Sequence, residues 1–171
     1  REAAEWVAGK LDEVGIGSQI VESERGRASL VARIPGADRS RPALLVHGHL
    51  DVVPADPSEW SVHPLSGEER DGYVWGRGAV DMKDLLAMEL TVVRMLAAEA
   101  RAAGRDPATD PIPGLTRDVI LASTADEEAG GLSGIGWIVA ERPEILEAAV
   151  AINESGAVAT TFAGRRFYPI G

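Results

Sequence analysis

The chain has 171 residues, with 17 basic and 27 acidic side chains and a formal net charge of −10. This length fits one domain and is sufficient to bury a hydrophobic core. The absence of cysteine excludes disulfides, Cys-ligated metal sites and a thiol nucleophile. The acidic balance argues against a nucleic-acid partner and against docking on an anionic membrane. The sequence also has no membrane-spanning apolar run and no secretory signal pattern, so we expect a cytoplasmic protein.

The hydrophobic pattern predicts helices that alternate with short strands. The predicted helices cover residues 1–14, 81–103 and 131–141. The predicted strands cover residues 18–22, 29–34, 43–47, 118–125 and 148–152, with a hairpin over 68–75 that turns on Asp71-Gly72. The runs at 118–125 and 148–152 are of the buried type. This alternation predicts an α/β fold, a three-layer α/β/α sandwich around a mostly parallel mixed sheet.

The helix over residues 81–103 has the strongest pattern. Asp81 stands where an N-cap is expected, and Gly104 stands where a helix ends. Its predicted core-facing side consists of Leu85, Met88, Val92, Met95 and Leu96.

Histidine and carboxylate side chains follow four of the predicted strand ends. They lie in the segments 47–51, 76–81, 126–131 and 153–154. Ligands of α/β sheets gather at the carboxyl ends of strands, so these segments are expected to converge. Each also has a structural explanation. Asp81 fits an N-cap, Glu127-Glu128 fit solvated acids near a helix start, and Glu154 fits a turn residue.

The pair His49 and Asp51 has the spacing of a metal ligand and its orienting partner. Residues two apart on a strand point to the same face, and a ligating histidine usually donates its second ring N–H to an oxygen. A buried structural histidine beside a turn-forming aspartate fits the same spacing. With carboxylates but no sulfur nearby, the donor set suits Zn²⁺, Mn²⁺ or Co²⁺ at a catalytic site. Clustered carboxylates need cations to offset their repulsion, and two metals bridged by an aspartate would supply them.

Three segments carry a family resemblance: LLVHGHLDVVPADPSEWSVHPLSG, DGYVWGRGAVDMKD and ADEEAGG. In order, spacing and context they resemble the zinc amidohydrolases that include acetylornithine deacetylase, succinyl-diaminopimelate desuccinylase, aminoacylase and glutamate carboxypeptidase. The resemblance implies a zinc-exopeptidase-like fold and two divalent metal ions, Zn²⁺ first, with Co²⁺ or Mn²⁺ as alternatives.

The resemblance also implies a role for each metal-site residue. His49 is similar to a ligand of the first metal, and Asp51 is similar to the residue that orients this histidine. Glu154 is similar to the remaining carboxylate ligand of the same metal. Asp81 resembles the bridging carboxylate, whose peptide bond to the next residue is often cis in relatives. Glu128 is similar to the ligand of the second metal.

Glu127 resembles the general base of these enzymes. The implied reaction is hydrolysis of an amide bond in a small N-acyl amino acid or peptide, of the deacylase, dipeptidase or carboxypeptidase type, through a metal-bridging hydroxide. Two alternatives stay open. One is a catalytically incomplete metal-binding or regulatory module on the same scaffold, and the other is a related co-catalytic zinc aminopeptidase.

The sequence departs from the family pattern in one important way. The last metal ligand of the family, a histidine near the end of a much longer chain, has no counterpart here. The small lid domain that usually carries the dimer interface is also missing. Residues 1–171 are therefore expected to be the N-terminal portion of a catalytic domain, inactive alone and homodimeric when whole. His47 is interpreted as strand packing, and His63 as a loop residue.

Overall fold

The computed structural model describes residues 1–154 and 160–167. Its α-helices are α1 (Glu2–Asp12), α2 (Lys83–Ala102) and α3 (Ile135–Glu141). Its strands are β1 (Ser18–Glu22), β2 (Ala28–Ile34), β3 (Ala43–His49), β4 (Glu68–Arg70), β5 (Tyr73–Trp75), β6 (Val119–Thr124), β7 (Ala148–Ile152), β8 (Thr160–Phe162) and β9 (Arg165–Phe167). No helix in these two ranges is both long enough and apolar enough to cross a membrane.

Five strands form the main sheet, in the order β1-β2-β6-β3-β7. The β1–β2 and β2–β6 pairs are antiparallel, whereas β6–β3 and β3–β7 are parallel. The mixed sheet is thus confirmed, although parallel pairing does not predominate among the described strands. Because β3, β6 and β7 run in the same direction, their carboxyl ends meet at one edge. The remaining strands form two hairpins, β4–β5 and β8–β9.

Helices cover both faces of the sheet, as the sequence predicts for a three-layer fold. One core joins α1 and α2 to one face, through residues such as Leu11, Leu30 and Leu121. The other core places Ile138 of α3, with Ile145 and Leu146, against Ile120 on the opposite face. Alternate residues of β6 therefore enter different cores, which explains why the strand is buried along its whole length.

The buried face of α2 differs from the predicted one. Leu86, Glu89, Leu90, Val93, Ala97 and Ala100 are buried, whereas Met88, Val92 and Met95 are 55–58% exposed. The helix carries apolar residues on two adjoining stripes, and periodicity alone does not show which one meets the sheet. The inner stripe ends in alanines, which allow close packing at that end of the helix.

Two predicted helix starts are also wrong. Helix α2 begins at Lys83 with Met82 at the N-cap, so Asp81 precedes the helix and does not cap it. The Asp81–Met82 peptide bond is cis, as the family resemblance implies. Helix α3 begins at Ile135, four residues after the predicted start at residue 131, where Gly130 and Gly131 adopt left-handed φ angles of 103° and 72°.

Strand β7 is not the buried strand that its composition predicts. Val150 and Ile152 are 55% and 53% exposed. Among the described strands β7 is an edge strand, and β3 is its neighbour in the sheet.

Glu89 is expected to make the stability of the protein depend on pH. It is 8% exposed, and neither carboxylate oxygen has a hydrogen-bond partner within the described ranges. Burial raises the pKa of Glu89 to about 7. The folded state therefore holds the proton more tightly, and stability should fall as pH rises from about 4.5 to about 7, by up to ~3 kcal/mol, then level off.

Urea unfolding between pH 4 and 9 measures this effect. Glu89→Gln should reduce the dependence of the free energy of unfolding on pH across that range, relative to the wild type. Glu99→Gln, at an exposed position on the same helix, should keep the wild-type slope. Parallel curves for the wild type and Glu89→Gln would contradict the prediction.

Candidate metal centre

Four chain segments bring histidine and carboxylates to one edge of the sheet. His49 ends β3, Asp81 precedes α2, Glu127 lies in the turn after β6, and Glu154 follows β7. The imidazole of His49 is 0% exposed. Its Nε2 lies 3.0 Å from Asp81 Oδ1, 3.4 Å from Glu154 Oε2 and 3.8 Å from Glu127 Oε2. The predicted convergence of strand ends is therefore observed.

Two overlapping groups could each hold a metal ion. One is His49, Glu127 and Glu154, and the other is His49, Asp81 and Glu128. Within each group, one possible ligand atom per residue lies within 4.8 Å of the others. The adjacent Glu127 and Glu128 thus belong to different groups. One imidazole with several carboxylates and no sulfur fits a divalent metal with open positions for water or substrate.

The electrostatics of the cluster favour a bound cation. Burial alone would lower the pKa of His49, but hydrogen bonding to Asp81 and the charges of Glu154 and Asp51 outweigh it and raise that pKa. Burial raises the pKa of Glu154, and the negative charges of Asp81 and Glu127 raise it further. Negative charge therefore exceeds positive charge here, and divalent cations would remove the excess.

Asp51 contacts both His49 and the turn after β6. Its backbone oxygen lies 3.0 Å from His49 Nδ1, whereas its carboxylate Oδ1 is 3.6 Å from that nitrogen. A carbonyl oxygen can only accept, so Nδ1 donates the proton, and Nε2 faces the carboxylates. The carboxylate of Asp51 instead accepts hydrogen bonds from the backbone amides of Glu127 and Glu128, both at 3.1 Å.

Asp126, to which the sequence pattern assigns no separate role, shapes the same turn. It has a left-handed φ of 73° and is 5% exposed. Its carboxylate accepts a hydrogen bond from Ser133 N at 2.9 Å and pairs with Arg27 at 3.2 Å. Aspartate tolerates this backbone region better than most residues, which is the local signal available in the sequence.

The other two histidines lie outside both ligand groups. His47 Nε2 is 2.9 Å from Thr124 Oγ1 across the β3–β6 pair, in agreement with strand packing. Burial, and secondarily the nearby His49, lower the pKa of His47. His63 is exposed in the loop before β4, where its Nδ1 accepts a hydrogen bond from Leu65 N.

The fold and this cluster define an α/β domain with candidate metal ligands, and sequence comparison gives its family. Residues 45–163 match the family described as Peptidase family M20/M25/M40. The chain belongs to this family. The matched region contains every metal-site candidate named above.

Curated relatives match along most of this chain but only part of their own. Aminoacylase-1 of Sus scrofa is 32% identical over 169 residues, which cover 97% of this chain and 38% of the relative. The cysteinylglycine-S-conjugate dipeptidase of Corynebacterium striatum is 34% identical over 161 residues, which cover 92% of this chain and 32% of the relative. The chain thus spans about a third of the length of these relatives.

Solved structures share the fold. The M20 family metallo-carboxypeptidase Sso-CP2 from Sulfolobus solfataricus superimposes with a TM-score of 0.71 and 24% identity, over 91% of this chain and 32% of that one. Human carnosine dipeptidase 1 gives a TM-score of 0.61 and 22% identity, over 91% and 34% of the two chains.

Proposed function

We propose that this chain supplies the metal centre of a hydrolase that cleaves an amide bond in a small N-acyl amino acid or peptide. The observation that carries the proposal is the meeting of buried His49 with the carboxylates of Asp81, Glu127, Glu128 and Glu154 at one sheet edge. Such a cluster has the donor chemistry of a catalytic metal site.

The proposal gives each ligand a place. His49 and Glu154 would hold one metal ion, Glu128 a second, and Asp81 would lie between the two. Asp81 suits a shared position because its side chain is 66% exposed and close to His49 Nε2. Two divalent ions, with Zn²⁺ preferred and Co²⁺ or Mn²⁺ as alternatives, would polarise the amide carbonyl and lower the pKa of water.

Glu127 is proposed as the general base and acid. Its side chain is 43% exposed, so water and substrate can reach it, and its Oε2 lies 3.8 Å from His49 Nε2. Its carboxylate would accept a proton from the attacking water and pass it to the departing amine. Glu127 also falls in one possible ligand group. The proton-transfer role is proposed for it on the family resemblance.

The substrate class rests on the relatives. Their names describe an aminoacylase and a dipeptidase, whose substrates share an amide bond next to an amino-acid residue. We propose that residues 1–171 form the N-terminal portion of the catalytic domain. In the whole protein a further ligand histidine and a lid domain with a dimer interface would come from sequence outside these residues. Two observations support this organisation: the chain matches 38% of aminoacylase-1 of Sus scrofa, and Val150 and Ile152 of β7 are exposed.

Metal-dependent turnover tests the proposed function. The whole protein should hydrolyse N-acetyl amino acids or dipeptides, lose this activity in a chelator and regain it with Zn²⁺, Co²⁺ or Mn²⁺. The metal-free protein and the 171-residue chain serve as controls and should show little turnover. A whole protein that binds metal but cleaves no amide in such a panel would favour the alternative of a binding or regulatory module.

A further inference from the structure

The turn that carries Glu127 and Glu128 places these two neighbouring carboxylates in different ligand groups. Glu127 falls with Glu154, and Glu128 falls with Asp81, while His49 belongs to both groups. Such a division depends on where the backbone of the turn sits relative to β3. A small rotation of the turn would move both carboxylates at once.

The carboxylate of Asp51 holds this backbone directly. Oδ1 accepts the hydrogen bond of Glu127 N, and Oδ2 accepts that of Glu128 N, both at 3.1 Å. The Asp51 side chain is 20% exposed, so these bonds are partly shielded from water. Bonds from amides to an ionised carboxylate are about twice as strong as neutral ones.

The backbone at Asp51 and Leu50 is also held by hydrogen bonds. Its backbone oxygen lies 3.0 Å from His49 Nδ1, and the preceding Leu50 accepts a hydrogen bond from Lys83 Nζ at 2.8 Å. Leu50 N in turn donates to Thr124 O at the end of β6. Residues 50 and 51 therefore connect the end of β3, the end of β6 and the start of α2.

We propose that Asp51 is a positioning residue whose carboxylate fixes the Glu127-Glu128 turn, in addition to its electrostatic effect on the His49 ring. Its two oxygens set the direction of the base and of the second-metal ligand together. The backbone oxygen performs the separate task of orienting His49. The expected effect on turnover rests on the proposed function, whereas the effect on the turn does not.

Asp51→Asn separates these two tasks. Asparagine keeps the size and the backbone oxygen, but its amide group offers one acceptor, so an NH₂ group faces one of the two backbone amides. Asp38→Asn is a matched control, because Asp38 also accepts a backbone amide, from Ser40, in an exposed loop before β3. Asp51→Ala, which removes both acceptors, is a second variant.

Hydrogen exchange of a peptide spanning residues 125–131, in the metal-free whole protein, is the test. Asp51→Asn and Asp51→Ala should speed exchange at positions 127 and 128 by on the order of 10- to 100-fold, and Asp38→Asn should not. In the metal-loaded protein, Asp51→Asn should lower kcat more than it changes KM. Unchanged exchange in Asp51→Asn would overturn the proposal, and so would faster exchange with unchanged kcat. A wild type without amide hydrolysis would remove the proposed function alone, and exchange would then decide the positioning role.

Discussion

Glu127→Gln is expected to slow amide hydrolysis by roughly 10²- to 10⁴-fold, the usual contribution of a positioned general acid–base group. Glutamine has the same shape but cannot accept a proton at neutral pH. The main-chain bonds of the turn are unaffected, because Asp51 binds the backbone amide of residue 127 and not its side chain. The loss should therefore appear in kcat. Steady-state kinetics on an N-acyl amino acid measures it.

The metal content separates the role of a base from that of a ligand. Glu127→Gln should retain the wild-type number of metal ions by elemental analysis, and Glu99→Gln should match the wild type in both metal content and rate. If Glu127→Gln loses one metal ion, the group His49, Glu127 and Glu154 describes a metal site, and Glu127 is a ligand. Full activity in Glu127→Gln would place the base elsewhere.

Asp81→Asn is expected to have the largest effect on metal binding. In the proposed centre Asp81 serves both ions, so replacing its charged carboxylate with a neutral amide weakens both. The loss of metal affinity should exceed the ~10- to 100-fold that follows from changing a residue that only hydrogen-bonds to a metal ligand. Because the side chain is 66% exposed, the fold should be unaffected. Titration of the metal-free protein with Zn²⁺, followed by calorimetry, gives the affinities.

Asp84→Asn is the matched control for this change. Asp84 lies three residues further along, and its Oδ1 accepts a hydrogen bond from Leu85 N, which asparagine can also accept. It should bind metal like the wild type. Two tight metal ions in Asp81→Asn would show that the ions do not share this carboxylate.

The sequence predicted the architecture well wherever a pattern has one physical solution. The strand runs at 18–22 and 43–47 alternate or stay apolar over a short length, and both form strands, the second reaching His49. The family resemblance and the α/β fold are confirmed. The convergence of His49 with the carboxylates follows from strand direction, since the carboxyl ends of parallel neighbours share an edge.

The sequence could not supply the features that depend on packing between distant segments. Helix α2 has two apolar stripes, and only contact with the sheet selects Leu86, Leu90 and Val93. Strand β7 has the composition of a buried strand but is an edge strand of the five-stranded sheet. The hydrogen-bond partners of the Asp51 carboxylate were likewise not predictable. The spacing of Asp51 and His49 indicates a contact between these two residues, whereas the backbone amides that the carboxylate binds are 76 and 77 residues away.

The location of bound metal tests the central claim most directly. Crystals of the whole protein would be grown with Zn²⁺, and their diffraction would be measured at the zinc absorption edge. Each zinc ion would then appear as an anomalous peak. We expect two peaks at the carboxyl edge of the sheet, one beside His49 and Glu154 and one beside Glu128, with Asp81 between them. A protein that hydrolyses amides while its zinc lies away from His49, or binds no metal, would contradict this account.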